Sequence, residues 1–116
     1  MNVLKKTMTY QVTLDFGGSL VFYRDHLGLP LKFQDEGKWA EFVVPDGRFA
    51  LSAVGEAPQR WAGGAVTVFD TDDLEEVAEH VARGGGEIVE RREMGDHGTT
   101  LTIAEPGGTI FQIRYK

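Results

Sequence analysis

The sequence predicts an α+β domain in which one strand–helix–three-strand unit is used twice, and three observations carry that prediction. Each half opens on a strand: Met8 to Phe16 alternates apolar and polar with a period of two, the pattern of a half-buried strand, and Ala65 to Phe69 opens the second half. Each of these is followed by an apolar stretch at helical spacing that ends on glycine, at Gly28 and at Gly84 to Gly86. Pro45-Asp46-Gly47 and Pro106-Gly107-Gly108 then stand at the same place before the last strand of each half. The order of elements, rather than residue identity, is what repeats. Residues 1–116 therefore read as one domain: a first module over about 8–54, a linker over 55–64 and a second module over about 65–116, with the sheet expected to cup a small-molecule site.

In the first module, Met8, Tyr10, Val12, Leu14 and Phe16 alternate with polar residues, and Gly17-Gly18 ends the strand. Ser19 is placed to cap a helix over Leu20 to Leu27, and Gly28 suits the left-handed position after it. Strands follow at Leu31 to Phe33 and Lys38 to Val44. Pro45-Asp46-Gly47 makes a turn, proline setting one φ and glycine supplying another, and Arg48 to Val54 returns. Gly55 to Gly64, with Pro58 and Trp61, reads as the linker. In the second module Ala65 to Phe69 is a strand, and Asp72 or its neighbour caps a helix over Leu74 to Arg83. Leu74, Val77, Ala78 and Val81 share one face of that helix. Strands at Glu87 to Arg91, Thr99 to Ala104 and Thr109 to Tyr115 complete it.

Composition narrows the function. Hydrophobic residues make up 41% of the 116, enough for a core, though a domain of this size gains from an oligomer. Eighteen acidic against twelve basic residues give a formal charge of −6, which argues against nucleic acid, whose binding relies on basic surface. No run approaches the roughly 18 apolar residues of a membrane span, and Lys5-Lys6 near the N-terminus lack the apolar stretch of a signal peptide. Zero cysteines exclude disulfides and thiolate metal sites. Cytoplasm is the expected location.

Val12-x-Leu14, Ser19-Leu20-x-Phe22-Tyr23-Arg24-Asp25-x-Leu27-Gly28-Leu29, Asp72-Asp73-Leu74 opening a helix, and Glu105-Pro106-x-Gly108 before the last strand together resemble the vicinal oxygen chelate superfamily of glyoxalases, extradiol dioxygenases and bleomycin-resistance proteins. The resemblance spans nearly the whole chain, with Phe22 to Leu29 its most specific piece. It implies two paired β-α-β-β-β modules in a cupped, half-open barrel sheet, and a homodimer, in some members with modules exchanged between chains. The Gly17-Gly18 connection is shorter than is usual there, so the first helix is expected to begin late.

The resemblance also implies where a metal would be held: one ligand on the first strand and one on the last strand of each module, six positions beyond the turn proline. Those positions are Gln11, Leu51, Val66 and Gln112. Leucine and valine cannot ligate, and two neutral amides do not offset the desolvation of a divalent ion. Neither a metal nor any other cofactor is expected.

Strand alternation assigns the lining. With Leu51 pointing into the cup, Phe49 and Ala53 join it, and the first hairpin is expected to set Val43, Glu41 and Trp39 on the same face. The last hairpin places Ile110, Gln112 and Arg114 beside Ala104, Thr102 and Thr100, and Gln11 comes from the first strand. This mixture of apolar wall and few polar groups suits a small molecule, with Trp39 and Glu41 fitting a planar or cationic one. Trp39 also fits plain packing or a dimer contact. Glu41 could equally pair with Arg114 or Lys38, and Trp61 is a lid or an interface residue. His26 and His80 fall on solvated helix faces, and His97 alone sits near a rim.

Two functions of different class follow. The first is a metal-independent binding protein similar to the bleomycin-resistance type, which sequesters an aromatic or cationic drug-like compound or metabolite. The alternative is a lyase, isomerase or dioxygenase of the glyoxalase type, using a non-standard metal site or Glu41 as a general base desolvated by the apolar wall. No Ser–His–Asp set or phosphate-binding glycine loop is present.

Overall fold

The computed structural model describes residues 4–116; Met1 to Val3, part of the N-terminal stretch read above, lie outside the described residues. The elements are β1 (Thr7–Thr13), α1 (Phe16–Val21, continued by a wider π-type turn over Phe22–His26), β2 (Leu31–Asp35), β3 (Trp39–Val44), β4 (Gly47–Ala53), β5 (Ala65–Asp70), α2 (Leu74–Arg83), β6 (Glu87–Glu93), β7 (Thr99–Ala104) and β8 (Ile110–Tyr115). This is the predicted α+β class, with the β-α-β-β-β order present twice. Among the described residues no helix is long and apolar enough to cross a membrane.

The chain forms two compact units. The N-terminal unit takes Met8–Pro58 and Ala62–Val66; the C-terminal unit takes Thr67–Lys116, Gln59–Trp61 and the described residues up to Thr7. Within the N-terminal unit the strands run β2-β3-β4-β1, with β1 parallel to β4 and the remaining pairs antiparallel. The C-terminal unit repeats this as β6-β7-β8-β5, with β5 parallel to β8.

The first helix departs from the reading above. It starts at Phe16, not after Gly18, because Asp15 caps it: the Asp15 carboxylate accepts from the Gly18 backbone N–H at 3.1 Å. A Cβ at Gly18 would collide with that carboxylate, so glycine at this position admits the cap instead of breaking the helix. Ser19, the expected cap, bonds Thr13 Oγ1 through its own hydroxyl at 2.7 Å. Gly28, at φ 74°, ends the helical stretch as predicted. In the second module Asp73 is the cap, accepting from the Glu76 N–H at 3.0 Å.

Each helix covers one face of its own sheet. Leu20 packs on Ala40, Phe42 and Leu51, with Phe16, Tyr23 and Phe49 around them. Leu74 and Val77 pack on Leu101, Ile103 and Ile113, with Phe69, Val81 and Phe111 around them. At roughly 1.5–3 kcal/mol for each fully buried large aliphatic or aromatic side chain, these clusters are the main source of stability in each unit.

The β3–β4 hairpin corrects the expected lining. Val44 pairs with Gly47, so the turn holds only Pro45 and Asp46, the latter at φ 56°. Trp39 then stands opposite Ser52, Glu41 opposite Ala50, and Phe42 opposite Phe49. The expectation that Glu41 and Trp39 share a face with Phe49 and Leu51 assumed a three-residue turn. Removing one residue from the turn moves every side chain of one strand to the other face relative to its partner.

Candidate functional site

Opposite the helix, the N-terminal unit presents Trp39 and Glu41 from β3, Arg48, Ala50 and Ser52 from β4, and Tyr10 and Val12 from β1, which pair with Ala50 and Ser52. Alternation on three adjacent strands brings these residues to one surface. Tyr10 and Trp39 meet edge to face with ring centroids 5.0 Å apart. Tyr10 is buried and Trp39 half-buried. Beside them Glu41 is only 4% exposed. Its Oε2 accepts from Arg48 Nε at 3.4 Å and lies 3.7 Å from Lys32 Nζ. The partner residues considered from sequence, Arg114 and Lys38, are not the ones found. A carboxylate this deeply buried is tenable because two cations and a hydrogen bond replace its water.

Of the predicted residues in this unit, Trp39 and Glu41 are brought together. Gln11, Phe49 and Leu51 stand on the helix face: Gln11 pairs with Leu51 in the parallel ladder, and Leu51 belongs to the helix-side core at 1% exposure. Their expected place in the lining is thereby corrected. Sequence reasoning missed Tyr10 and Arg48. The alternation of Met8, Tyr10 and Val12 already marked the buried side of β1, and Arg48 lies on Glu41's face once the turn is counted as two residues.

In the C-terminal unit the face opposite α2 carries Thr102, Gln112 and Arg114 together, in the arrangement alternation predicts. Gln112 pairs with Thr102 on one side and Val68 on the other, while Arg114 pairs with Thr100 and Asp70. Gln112 Nε2 donates to Thr102 Oγ1 at 3.0 Å, and Thr102 is 2% exposed. Arg114 Nη2 donates to Asp70 Oδ2 at 3.3 Å. Trp61, half-buried, belongs to the segment Gln59–Trp61 of this unit. Its neighbour Arg60, at φ 66°, makes a bidentate pair with Glu87 at 3.0 and 2.9 Å. That contact holds the Glu87 carboxyl below its ordinary range, the hydrogen bonds first and the charge second. His26, His80 and His97 are all exposed. A shallow depression of about 170 Å³ beside the end of α2, lined by Val81, Ile103, Pro106 and Phe111 among others, offers little polar surface for recognition.

A divalent metal is poorly matched by these residues. With the faces corrected, the first and last strands present Tyr10, Val12, Arg48, Ala50 and Ser52 in the N-terminal unit and Val68, Asp70, Gln112 and Arg114 in the C-terminal unit. Asp70 is the one carboxylate among them and is held by Arg114 at 3.3 Å, and none is an imidazole; a divalent ion requires several such donors. Among the described residues, no three His, Cys, Asp or Glu gather as a metal site would need.

The fold is shared with solved structures. A glyoxalase/bleomycin resistance protein/dioxygenase superfamily member from Vibrio splendidus 12B01 is similar at a TM-score of 0.72 and 17% identity, covering 97% of this chain and 99% of that one. Methylmalonyl-CoA epimerase from Mycobacterium tuberculosis gives a TM-score of 0.73 at 16% identity, over 99% and 90%. Homoprotocatechuate 2,3-dioxygenase from Brevibacterium fuscum gives 0.68 at 20%, over 97% of this chain but only 37% of the dioxygenase. At these identities the likeness is one of fold. No curated protein sequence matches the chain. The family model described as Glyoxalase/Bleomycin resistance protein/Dioxygenase superfamily matches residues 8–113. With both β-α-β-β-β modules inside that match, the chain belongs to the glyoxalase/bleomycin resistance protein/dioxygenase superfamily.

Proposed function

We propose that the protein is a metal-independent binder of a small aromatic molecule, with Trp39 as its stacking surface. The observation that carries this reading is the Tyr10–Trp39 pair beside a carboxylate already neutralised by two cations. An aromatic platform next to satisfied polar groups recognises a ring by contact area and quadrupole, with no reacting group required. The donor types on the first and last strands support the metal-independent part. A cationic ligand loses support, because Glu41 is engaged by Arg48 and Lys32, and so does Glu41 as a general base. A homodimer belongs to the same reading on grounds of domain size, and sedimentation equilibrium tests it.

The experiment is a fluorescence titration with benzamide, a neutral aromatic probe, using Trp61→Phe so that Trp39 reports alone. Saturable quenching of Trp39 is expected. An unchanged signal across the titration would overturn the reading. Stoichiometric metal in protein purified without chelator, with activity lost on EDTA treatment, would replace it with the enzymatic alternative.

A further inference from the structure

Among the described residues, Arg114 holds the one buried side-chain polar atom without a hydrogen-bond partner. Its Nε is buried and has no hydrogen-bond acceptor among the described residues. A buried N–H without an acceptor is uncommon and costly. The guanidinium presents Nε and Nη2 along one edge, the edge that matches the two oxygens of a carboxylate. Asp70 fills half of that edge with a single oxygen, 3.3 Å from Nη2. The edge is under-filled, and about a quarter of the Arg114 side chain is exposed although Nε itself is covered.

The neighbours define what would complete it. Strand register sets Asp70, Arg114, Thr100 and Arg92 in one row across β5, β8, β7 and β6. Glu90 stands one row away, opposite Thr102, beside the Gln112–Thr102 pair. A singly charged planar anion suits this face. A dianion would meet Asp70 and Glu90 with too little compensating charge.

We infer that the face of the C-terminal unit opposite α2 recognises a ligand carboxylate, which completes the Nε–Nη2 edge of Arg114. This rests on the reading of the chain as a small-molecule binder and adds an acidic group to the ligand's description. Seating the ligand forms hydrogen bonds only, with no covalent bond made or broken.

The test follows the Arg114 Nε–Hε resonance in the ¹⁵N-labelled full chain, assigned by triple resonance. Acetate is expected to shift this signal saturably, and acetamide, its neutral counterpart, to leave it in place. Arg114→Lys keeps the charge but lacks the fork and, followed on neighbouring backbone amide signals because the reporter N–H is gone, is expected to bind acetate about tenfold more weakly or worse. The inference is overturned if acetate produces no saturable shift, if acetamide shifts the signal equally, or if inorganic phosphate binds there more tightly than acetate. Acetate has no ring, so its failure leaves the benzamide result at Trp39 untouched. Acetate binding with no quenching by benzamide would instead remove the aromatic reading alone.

Discussion

Glu41 accepts a hydrogen bond from Arg48 Nε at 3.4 Å across the β3–β4 hairpin, with its side chain almost wholly out of water and that of Arg48 one quarter exposed. The two lie diagonally across the ladder, since Glu41 pairs with Ala50 and Arg48 with Val43. Removing one partner strands a buried charge. Arg48→Met is expected to destabilise the protein by about 2–4 kcal/mol, partly softened by Lys32, whereas Arg48→Met with Glu41→Leu should return most of that loss. Urea denaturation of the two variants decides it; equal losses would mean that the charge is not what matters.

The Tyr10–Trp39 contact should be energetically coupled. A double-mutant cycle with Tyr10→Leu and Trp39→Leu is expected to give a coupling of about 1 kcal/mol, the range for edge-to-face aromatic pairs. Additivity within error would reduce the pair to two independent side chains.

Gly98 sits at φ 89°, and a Cβ there would run into the Tyr115 carbonyl. Both the conformation and the close approach exclude a side chain. Gly98→Ala is expected to cost about 2–4 kcal/mol in thermal or urea unfolding. Gly37 has open space around its Cβ position and no positive φ among those found, so Gly37→Ala should be close to neutral.

Glu87 titrates below the ordinary glutamate range because Arg60 donates two hydrogen bonds to it. A carboxyl depressed in the folded state adds stability above its unfolded pKa, and that contribution disappears as pH falls through the folded value. Arg60→Ala should therefore move the Glu87 midpoint upward in an NMR titration while leaving that of Glu93, which is held down by Arg91 and Thr99, where it is. A Glu87 midpoint that stays put would show that the two hydrogen bonds from Arg60 are not what holds it down.

Helix capping gives a last comparison between the modules. Asp73→Ala, which removes the acceptor for the Glu76 N–H, is expected to cost about 1 kcal/mol. Asp15→Ala should cost a similar amount and free the space that now makes Gly18 necessary. Circular dichroism with urea unfolding measures both.

Much of this molecule was legible in the sequence because its signals are local. Alternation at Met8 to Val12, the apolar run Ala65 to Phe69, the spacing of Leu74, Val77 and Val81, and the glycines and prolines between elements are each fixed by backbone sterics and by one buried face. They determined the α+β class, the doubled module and the superfamily. Even the face of β1 that becomes buried was written in its even-numbered residues. The start of α1 was misread because Gly17-Gly18 signals a break by composition, while the Asp15 carboxylate supplies a cap that only glycine at position 18 leaves room for.

The tertiary structure decided which side chains meet. In the second hairpin, Ala104 pairs with Ile110, and counting along the strands placed Thr102, Gln112 and Arg114 together. In the first, a turn of two residues rather than three set Trp39 and Glu41 with Tyr10 and Arg48, and sent Gln11, Phe49 and Leu51 to the helix side. Pro45-Asp46-Gly47 is compatible with either turn length. The choice falls to packing across the sheet, where Phe42 and Leu51 must both reach Leu20, and a strand's period of two leaves no intermediate register.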